Sequence, residues 1–499
     1  MWLGSSYTRP GMANWLRPAS LALPCLAFLA WGPLLLTVAD GQHLLRLINA
    51  TTRLSPSIRI GIMSTAVPLF CALFIAWEEE SKAYSSLWKG GSRTGPAQSW
   101  GVTVATVTAT GSLTSAALLV ESSLPAILLL LAAGLVAVAR LLFIPPPPVE
   151  GLEVGEVVPF SSSSGDAGNM SLAQRVVTVT QIGTTLCAGT MLLVLGALLV
   201  GRYAANMESG TTLAAGTGLL ALGLWVRLGA APFGMGQQGL GTLRPVAMLV
   251  AGALTPATII VGLSLLGGDP KIGDSMVGTV GVHAVPWIAA VAALLSGVSA
   301  AGLKEKPAQE HANVGLSTVG ADRLWPLVVS AISLQTSWAL CGVLLGGDTG
   351  NNSGQAARGA ALLALNLAFA VPLLWLVCGE GTKLNNSVRR LGTFVAVGSL
   401  LGLPPLGGYK GMLMIAQEAA GLNGWLLAGL LAGSILTAGA WLSVTSEMAR
   451  PGAEEQGHFA VKIPRTSRFA LPAVEEIMVW TLIPAQLLLF LLSGRILAP

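Results

Sequence analysis

Long apolar runs separated by short polar connections repeat along the whole chain, and this pattern predicts its elements. Because a helix crosses a bilayer in roughly 19–20 residues, windows of that length indicate about 13 membrane-spanning helices. They lie near 20–38, 58–77, 101–119, 122–144, 176–200, 211–230, 245–266, 281–301, 324–345, 357–378, 391–417, 423–446 and 472–496. No separate soluble domain fits between them. The predicted fold class is therefore all-α, a polytopic membrane protein of about 13–14 transmembrane helices.

The longest polar connections are 78–100, 145–175, 302–323 and 447–471. Segment 145–175 opens with four consecutive prolines and continues with a run of four serines at 161–164. Proline-rich and serine-rich segments resist helix formation. This segment is predicted to be a surface loop, or alternatively a segment on which a partner docks.

Composition supports a membrane protein and excludes several functions. The chain is 53% hydrophobic and 10% charged, whereas soluble domains carry about 25% charged residues. The net charge of +4 is small and scattered, so no nucleic-acid partner is predicted. The five cysteines lack the spacing that holds zinc, haem or an iron–sulfur cluster. No phosphate-binding loop, dinucleotide fingerprint or catalytic triad is present, so this chain is expected to bind no cofactor.

Three ionisable residues fall within or beside predicted spans, where a charge costs several kcal/mol unless it has a partner or water. Glu121 is either an acid inside the membrane or a carboxylate at the turn between two helices. Arg227 keeps its charge and can pair with a carboxylate, but carries protons poorly; it lies either in the interior or at the interface. Lys410 is the strongest candidate, because a desolvated lysine can exchange protons near neutral pH. Its alternative is a lysine that reaches out to the interface.

Prolines beside two of these charges predict interrupted helices. Residues 402–418, GLPPLGGYKGMLMIAQE, place Pro404 and Pro405 inside an apolar segment, a few residues before Lys410. Proline lacks an N–H, so it frees backbone carbonyls that need other partners. Pro232 lies a few residues after Arg227, and Pro256 lies within a later span. Charged side chains beside broken helices are typical of ion-transporting membrane proteins.

Several segments, in the same order, resemble one family. Residues 402–418 resemble the signature GLPPL-x-G-[aromatic]-x-x-K-[WM]-x-I-x-[QE]-E of the antiporter-like membrane subunits of respiratory complex I, in the version found in mitochondrial chain 2. RLGAAPF at 227–233 is similar to K-L-G-x-A-P-F-H, and LTPATI at 254–259 to K-L-A-P-I-S. Weaker similarities are VESSLPAI around Glu121 and ANVGLSTVG at 312–320, which resembles L-A-Y-S-S-I.

The resemblance implies a fold and an organisation. It implies two inverted repeats, each with a discontinuous helix, here near 211–235 and 391–417. Residues 101–420 would form the antiporter-like core, with the proline- and serine-rich loop 145–175. Residues 1–100 would be divergent N-terminal transmembrane helices, and residues 421–499 would be C-terminal ones.

The resemblance also implies a function. The chain would be a multi-pass subunit of proton-translocating NADH:ubiquinone reductase in the mitochondrial inner membrane, without redox chemistry of its own. Flavin, iron–sulfur clusters and ubiquinone would be bound by other subunits. Its partners would be the other membrane-arm subunits and membrane lipids, including structural phospholipids.

The sequence departs from the family at the proton-carrying positions. The lysine before L-G-x-A-P-F is Arg227, the central lysine is replaced by Ala253, and the late lysine falls on Met412, two residues after Lys410. Two residues correspond to about 200° around a helix, so Lys410 points elsewhere unless irregular backbone after the prolines re-aims it. Only Glu121 keeps the residue type that the family has.

These departures leave two mechanisms open. In one, Glu121, Arg227 and Lys410 form a rewired proton path. In the other, the path has degenerated and the subunit is partly structural, which the missing central lysine favours. A different class, a stand-alone cation/proton antiporter or secondary transporter, would need buried carboxylates in both halves, and the sequence offers only Glu121.

Overall fold

The computed structural model describes residues 60–73, 96–120, 123–140, 172–206, 210–233, 248–267, 285–302, 316–346, 354–378, 386–448 and 474–496. Helix is the regular structure throughout these ranges, as hydrocarbon requires, since a helix satisfies its own backbone hydrogen bonds. The helices are α1 (Ile60–Leu73), α2 (Pro96–Leu119), α3 (Ser123–Ala139), α4 (Leu172–Asn206), α5 (Gly210–Leu228), the π-helix π1 (Met248–Leu254), α6 (Thr255–Gly267), α7 (Trp287–Gly302), α8 (Leu316–Gly346), α9 (Gln355–Cys378), α10 (Asn386–Leu400), α11 (Gly407–Leu422), α12 (Gly424–Met448) and α13 (Val474–Ile496).

Seven of the described helices are long and apolar enough to cross a bilayer. They are Val176–Tyr203, Thr211–Leu228, Met248–Leu266, Trp325–Gly346, Gln355–Val377, Gly424–Ser443 and Glu476–Ser493. Shorter apolar helices are Ile60–Leu73, Thr103–Leu119, Ser123–Ala139 and Trp287–Gly302. The predicted span 20–38 lies outside the described residues, and each of the other predicted spans coincides with a described helix. The all-α multi-pass fold class is thus confirmed.

Helices α8 and α9 form the centre of the protein. The apolar span of α8 is entirely buried and that of α9 almost entirely so, whereas α4, α12 and α13 bury little more than a third of theirs or less. Around α9 pack α6, π1, α8, α10, α11 and α13. Helices α5, α6, α7, α10, α11 and α12 all contact α8 as well. The outer helices therefore present apolar side chains to the surroundings, while α8 and α9 are shielded by protein.

Glycines let α4 and α5 approach closely. A Cβ atom on Gly189 would lie 2.8 Å from the backbone nitrogen of Arg227, and one on Gly223 would lie 2.8 Å from the backbone nitrogen of Leu193. Small residues at such contacts are typical of helix pairs in membranes. This close packing sets Arg227 of α5 directly against the middle of α4.

Candidate functional site

Arg227 lies in the last turn of α5 and is only 6% exposed. Its Nη1 atom donates a hydrogen bond to the hydroxyl of Thr190 on α4. Its Nε and Nη2 atoms are buried and have no hydrogen-bond partner among the described residues. The side chain of Arg227 is therefore enclosed by protein.

Arg227 lines a cavity of about 20 Å³, room for roughly one small molecule or ion. Helices α4, α5, π1 and α6 each contribute to its wall. The lining residues are Ile182, Thr185, Leu186, Val226, Arg227, Gly229, Phe233, Val250, Leu254, Thr255 and Thr258. The structure therefore brings together two of the segments that the sequence singled out, RLGAAPF and LTPATI.

Three threonines give this cavity its polar character. Thr258 donates to the carbonyl of Leu254 at 2.8 Å and Thr185 to that of Ile182 at 2.8 Å. The hydroxyl of Thr255 donates to the carbonyl of Val250 at 3.2 Å. Their oxygen atoms keep free lone pairs, and each hydroxyl can turn its proton to another acceptor. The wall is thus mostly apolar, and its polar groups are these hydroxyls and the guanidinium.

The backbone that follows Arg227 leaves the helical path, yet its polar groups are paired. Gly229 takes a φ of 64°, a left-handed conformation that suits glycine, and Ala231–Pro232 is a cis peptide. The indole of Trp225 donates to the carbonyl of Ala231 at 2.9 Å. The backbone N–H of Ala231 donates to Ser333 of α8 at 2.7 Å. Helix α5 therefore ends before Pro232, and Ser333 of α8 stabilises the turn that follows it. Residues 234–247 lie outside the described residues, so the interruption predicted at Pro232 stays a prediction.

The segment at the central-lysine position is a π-helix. All seven residues of π1 are buried, and Ala253 among them is fully buried. Pro256 follows as the second residue of α6. Because π1 contains only Met, Leu, Val, Ala and Gly, its side chains carry no group that can take up or release a proton.

A second break separates α10 from α11, as Pro404 and Pro405 predicted. Residues 401–406 form two tight turns in which Leu403 N–H donates to Gly398 at 2.8 Å and Leu406 N–H donates to Leu403 at 2.9 Å. Gly402 has a φ of 71°. A Cβ on Gly408 would collide with the carbonyl oxygen of Ser399. The two half-helices therefore meet with backbone against backbone.

Three fully buried polar side chains pack beneath this break. The hydroxyl of Ser399 lies 2.6 Å from Oδ1 of Asn366 and 2.7 Å from Oε1 of Gln486. Since a hydroxyl has one proton, it donates to one of these oxygens; rotating the Gln486 amide by half a turn presents its otherwise unpaired Nε2 as a donor to Ser399. This network joins α9, α10 and α13.

Lys410 and Met412 point in different directions from α11. This helix is regular from Gly407 onward, so the backbone does not re-aim Lys410. Met412 is buried, and its sulfur lies against Gly402. Lys410 is half-buried and is joined to no other residue by a hydrogen bond or ion pair within the described part of the chain. Met412, which aligns with the late lysine of the family that the sequence resembles, is therefore a buried apolar side chain.

Sequence reasoning assigned no role to Glu418, which ends the 402–418 segment. Its carboxylate accepts hydrogen bonds from the backbone N–H groups of Gln355 at 2.7 Å and Ala356 at 2.8 Å, the first residues of α9. A carboxylate at a helix N-terminus is favourable for both hydrogen bonding and charge. The sequence shows the carboxylate of Glu418, but it does not show the N–H groups that this carboxylate binds, because they lie far away along the chain.

The candidate residues form no single cluster. Arg227 and Pro256 lie on one side of α8, where α5 and α6 pack. Lys410, Pro404 and Pro405 lie with α10 and α11, which contact α8 and α9. Glu121 lies outside the described residues. Within the described ranges no group of three or more His, Cys, Asp or Glu side chains could hold a metal ion.

Solved membrane complexes contain chains of similar shape. A chain of respiratory complex I from Thermus thermophilus, solved with bound aureothin, has a TM-score of 0.61 and 17% identity, with 97% of this chain and 93% of that chain covered. A chain of the Mrp complex from Dietzia sp. DQ12-45-1b has a TM-score of 0.58 and 15% identity, with 97% and 91% covered. No protein-family model and no curated protein matches the sequence.

The chain has the antiporter-like fold. The similarity extends over nearly the whole length of both chains. At these identities it shows the fold and not the function. Together with the seven apolar spans, it shows a multi-pass membrane protein.

Proposed function

We propose that this chain is an antiporter-like membrane-arm subunit of respiratory complex I, of the type found as mitochondrial chain 2. The observation that carries the proposal is the break at 401–406. The segment whose sequence resembles the chain 2 signature joins two half-helices, in a chain whose fold is similar to one from complex I. In this function the subunit contributes to proton translocation coupled to NADH oxidation by ubiquinone.

The proposal includes a location and partners. The chain would lie in the mitochondrial inner membrane among the other membrane-arm subunits, with phospholipids on its apolar outer helices. Flavin, iron–sulfur clusters and ubiquinone would be held by other subunits. Energy from quinone reduction would therefore reach this chain through its contacts and not through a bound redox group.

Within this function, the proton path is interrupted and the role of the subunit is partly structural. A lysine is replaced by the buried Ala253 in π1 and by the buried Met412 in α11. Arg227 keeps a positive charge in the interior, but an arginine is a poor proton carrier. Lys410 is ionisable, yet it faces away from the side that Met412 occupies.

Purification from the source membranes tests the assembly. We expect an affinity tag on this chain to recover a megadalton complex with flavin and iron–sulfur absorbance and NADH:ubiquinone reductase activity. Recovery of a free homodimer without these absorbances would contradict the proposal.

Proton-to-electron ratios test the interrupted path. Lys410→Ala is expected to leave unchanged the number of protons pumped per NADH oxidised, because Lys410 does not occupy the position of the late lysine. Lys410→Arg serves as a control that keeps the charge. A lower ratio in Lys410→Ala and a normal one in Lys410→Arg would show that Lys410 belongs to a working relay.

A second function is a cation/proton antiporter or secondary transporter outside complex I. The similarity to a chain of the Mrp complex, almost as high as that to complex I, favours it. Proteoliposomes containing the purified chain would distinguish the two functions. Proton movement driven by an imposed sodium gradient, in the absence of any other subunit, would support the transporter and contradict the complex I assignment.

A further inference from the structure

The two unpaired nitrogens of Arg227 lie on the same edge of the guanidinium. In a guanidinium group the Nε–H and one Nη2–H are parallel, whereas Nη1 lies on the opposite side. Nη1 is the atom that bonds Thr190, so the parallel pair of donors is the part left free. Such a pair fits an anionic group side-on. The free edge therefore has the geometry of an anion-binding fork.

The charge on Arg227 needs compensation. Moving a charge from water into a low-dielectric interior is very costly unless an opposite charge lies beside it. The carboxylates whose side chains the structure describes are Glu418 and Glu476, and neither of them pairs with Arg227. The C-terminal end of α5 offers only a partial negative charge. Thus the described residues leave the guanidinium short of a counter-charge.

The cavity that Arg227 lines has the size of a small-ion site and three hydroxyls in its wall. Its volume of about 20 Å³ admits one small species. The hydroxyls of Thr185, Thr255 and Thr258 line it and can turn their protons from helix carbonyls toward an acceptor. No acidic side chain lines the cavity. A bound anion would therefore meet two guanidinium donors and neutral hydroxyls.

We propose that this cavity binds one small monovalent anion, of the chloride class, on the Nε/Nη2 edge of Arg227. The anion neutralises a fixed positive charge between α4, α5 and α6, and so joins the three helices. The proposal goes beyond the proposed function and does not depend on it, because it requires only the buried charge and the cavity.

Chloride-dependent stability tests the proposal. The intact assembly that contains the chain is melted in chloride and in gluconate, at equal ionic strength and pH, and the unfolding of this chain is followed by protease sensitivity. The wild type is expected to melt about 2 °C or more higher in chloride, with saturation, because a ligand that binds only the folded state stabilises it. Arg227→Met should abolish the difference, and Arg202→Met, an exposed arginine on α4, should retain it.

Arg227→Met is a suitable test variant because it removes a buried charge, which is costly without a partner, and leaves an apolar side chain in its place. Absence of a chloride effect in the wild type, or its persistence in Arg227→Met, overturns the proposal. Glu121→Gln tests the remaining alternative, in which the carboxylate of Glu121 and not an anion binds Arg227. If the carboxylate of Glu121 occupies the fork, chloride would stabilise Glu121→Gln and not the wild type, which also overturns it. Density on the fork that strengthens when bromide replaces chloride would support it directly.

Discussion

The Oε1 atom of Glu418 accepts a hydrogen bond from the backbone N–H of Gln355 at 2.7 Å, so the end of α11 caps the start of α9. The second carboxylate oxygen accepts from Ala356, and the two bonds together occupy both oxygens. This contact ties the half-helix after the break to α9, one of the two most enclosed helices in the described part of the chain. Glu418, the last residue of the 402–418 segment, thus has a structural role.

Removal of the Glu418 cap should destabilise the protein. Glu418→Ala is expected to cost about 1–2 kcal/mol, because two N–H groups at a helix start lose their acceptor. Glu418→Gln should cost less, since its amide offers one acceptor but turns an NH₂ toward the second N–H. Thermal melting of the purified protein in nanodiscs measures both. Gln417→Ala, an exposed neighbour, is the control; an equal loss there would show that the cap is unimportant.

The hydroxyl of Thr190 is expected to stabilise the buried guanidinium. Thr190→Val keeps the shape of the side chain but leaves Nη1 of Arg227 without an acceptor, and a hydrogen bond to a charged group contributes about 1.5–3 kcal/mol. Chemical denaturation in detergent measures the loss. Thr184→Val, an exposed threonine on the same helix, should be nearly neutral. Similar stabilities of the two variants would contradict an important Thr190–Arg227 bond.

Two glycines of α11 should respond in opposite ways to alanine. In Gly408→Ala the new methyl collides with the Ser399 carbonyl, which is backbone and cannot move aside, so a loss of about 1–3 kcal/mol is expected. In Gly421→Ala the methyl meets no atom within 4 Å, and the gain should approach about 1 kcal/mol because alanine favours helix. Melting temperatures of both variants test this pair. A stable Gly408→Ala variant would show that the half-helices meet less closely.

The Ser399, Asn366 and Gln486 side chains should act as one unit. Ser399→Ala and Gln486→Leu each break the network, so the loss in the double variant should fall short of the summed single losses by about 0.5–3 kcal/mol. A double-mutant cycle based on chemical denaturation measures this coupling. Pairing Ser399→Ala with Thr393→Ala, an exposed-side hydroxyl bonded only within its own helix, should give additive losses. Additivity in the first cycle would refute the network.

Hydropathy located the helices because bilayer-length apolar runs separate clearly from polar connections. The predicted span 357–378 coincides with α9, Gln355–Cys378, and the span 391–417 overlaps both half-helices. Pro404 and Pro405 predicted the break, because proline interrupts a helix at the place where it stands. Elements that depend on local chemistry were therefore predictable.

The partners of the buried polar residues were not predictable, because they depend on how helices pack. Arg227 and Thr190 are 37 residues apart, and Ser399 and Gln486 are 87 apart. Sequence reasoning put Lys410 first among the charges because it follows a helix break. The structure places Lys410 half-buried, whereas Arg227 is enclosed beside a cavity. The burial of a side chain depends on which helices pack around it, and a single sequence does not show that packing.

The enclosure of α9 has a consequence for biogenesis. Its neighbours include α6, made before it, and α11 and α13, made after it, and Gln486 of α13 supplies part of the network that meets Asn366 of α9. Helices of membrane proteins insert first and associate afterwards. When the ribosome has just completed α9, two of the helices that surround it in the folded protein, α11 and α13, have therefore not yet been made. Assembly of this protein finishes only after Val474–Ile496 has entered the membrane.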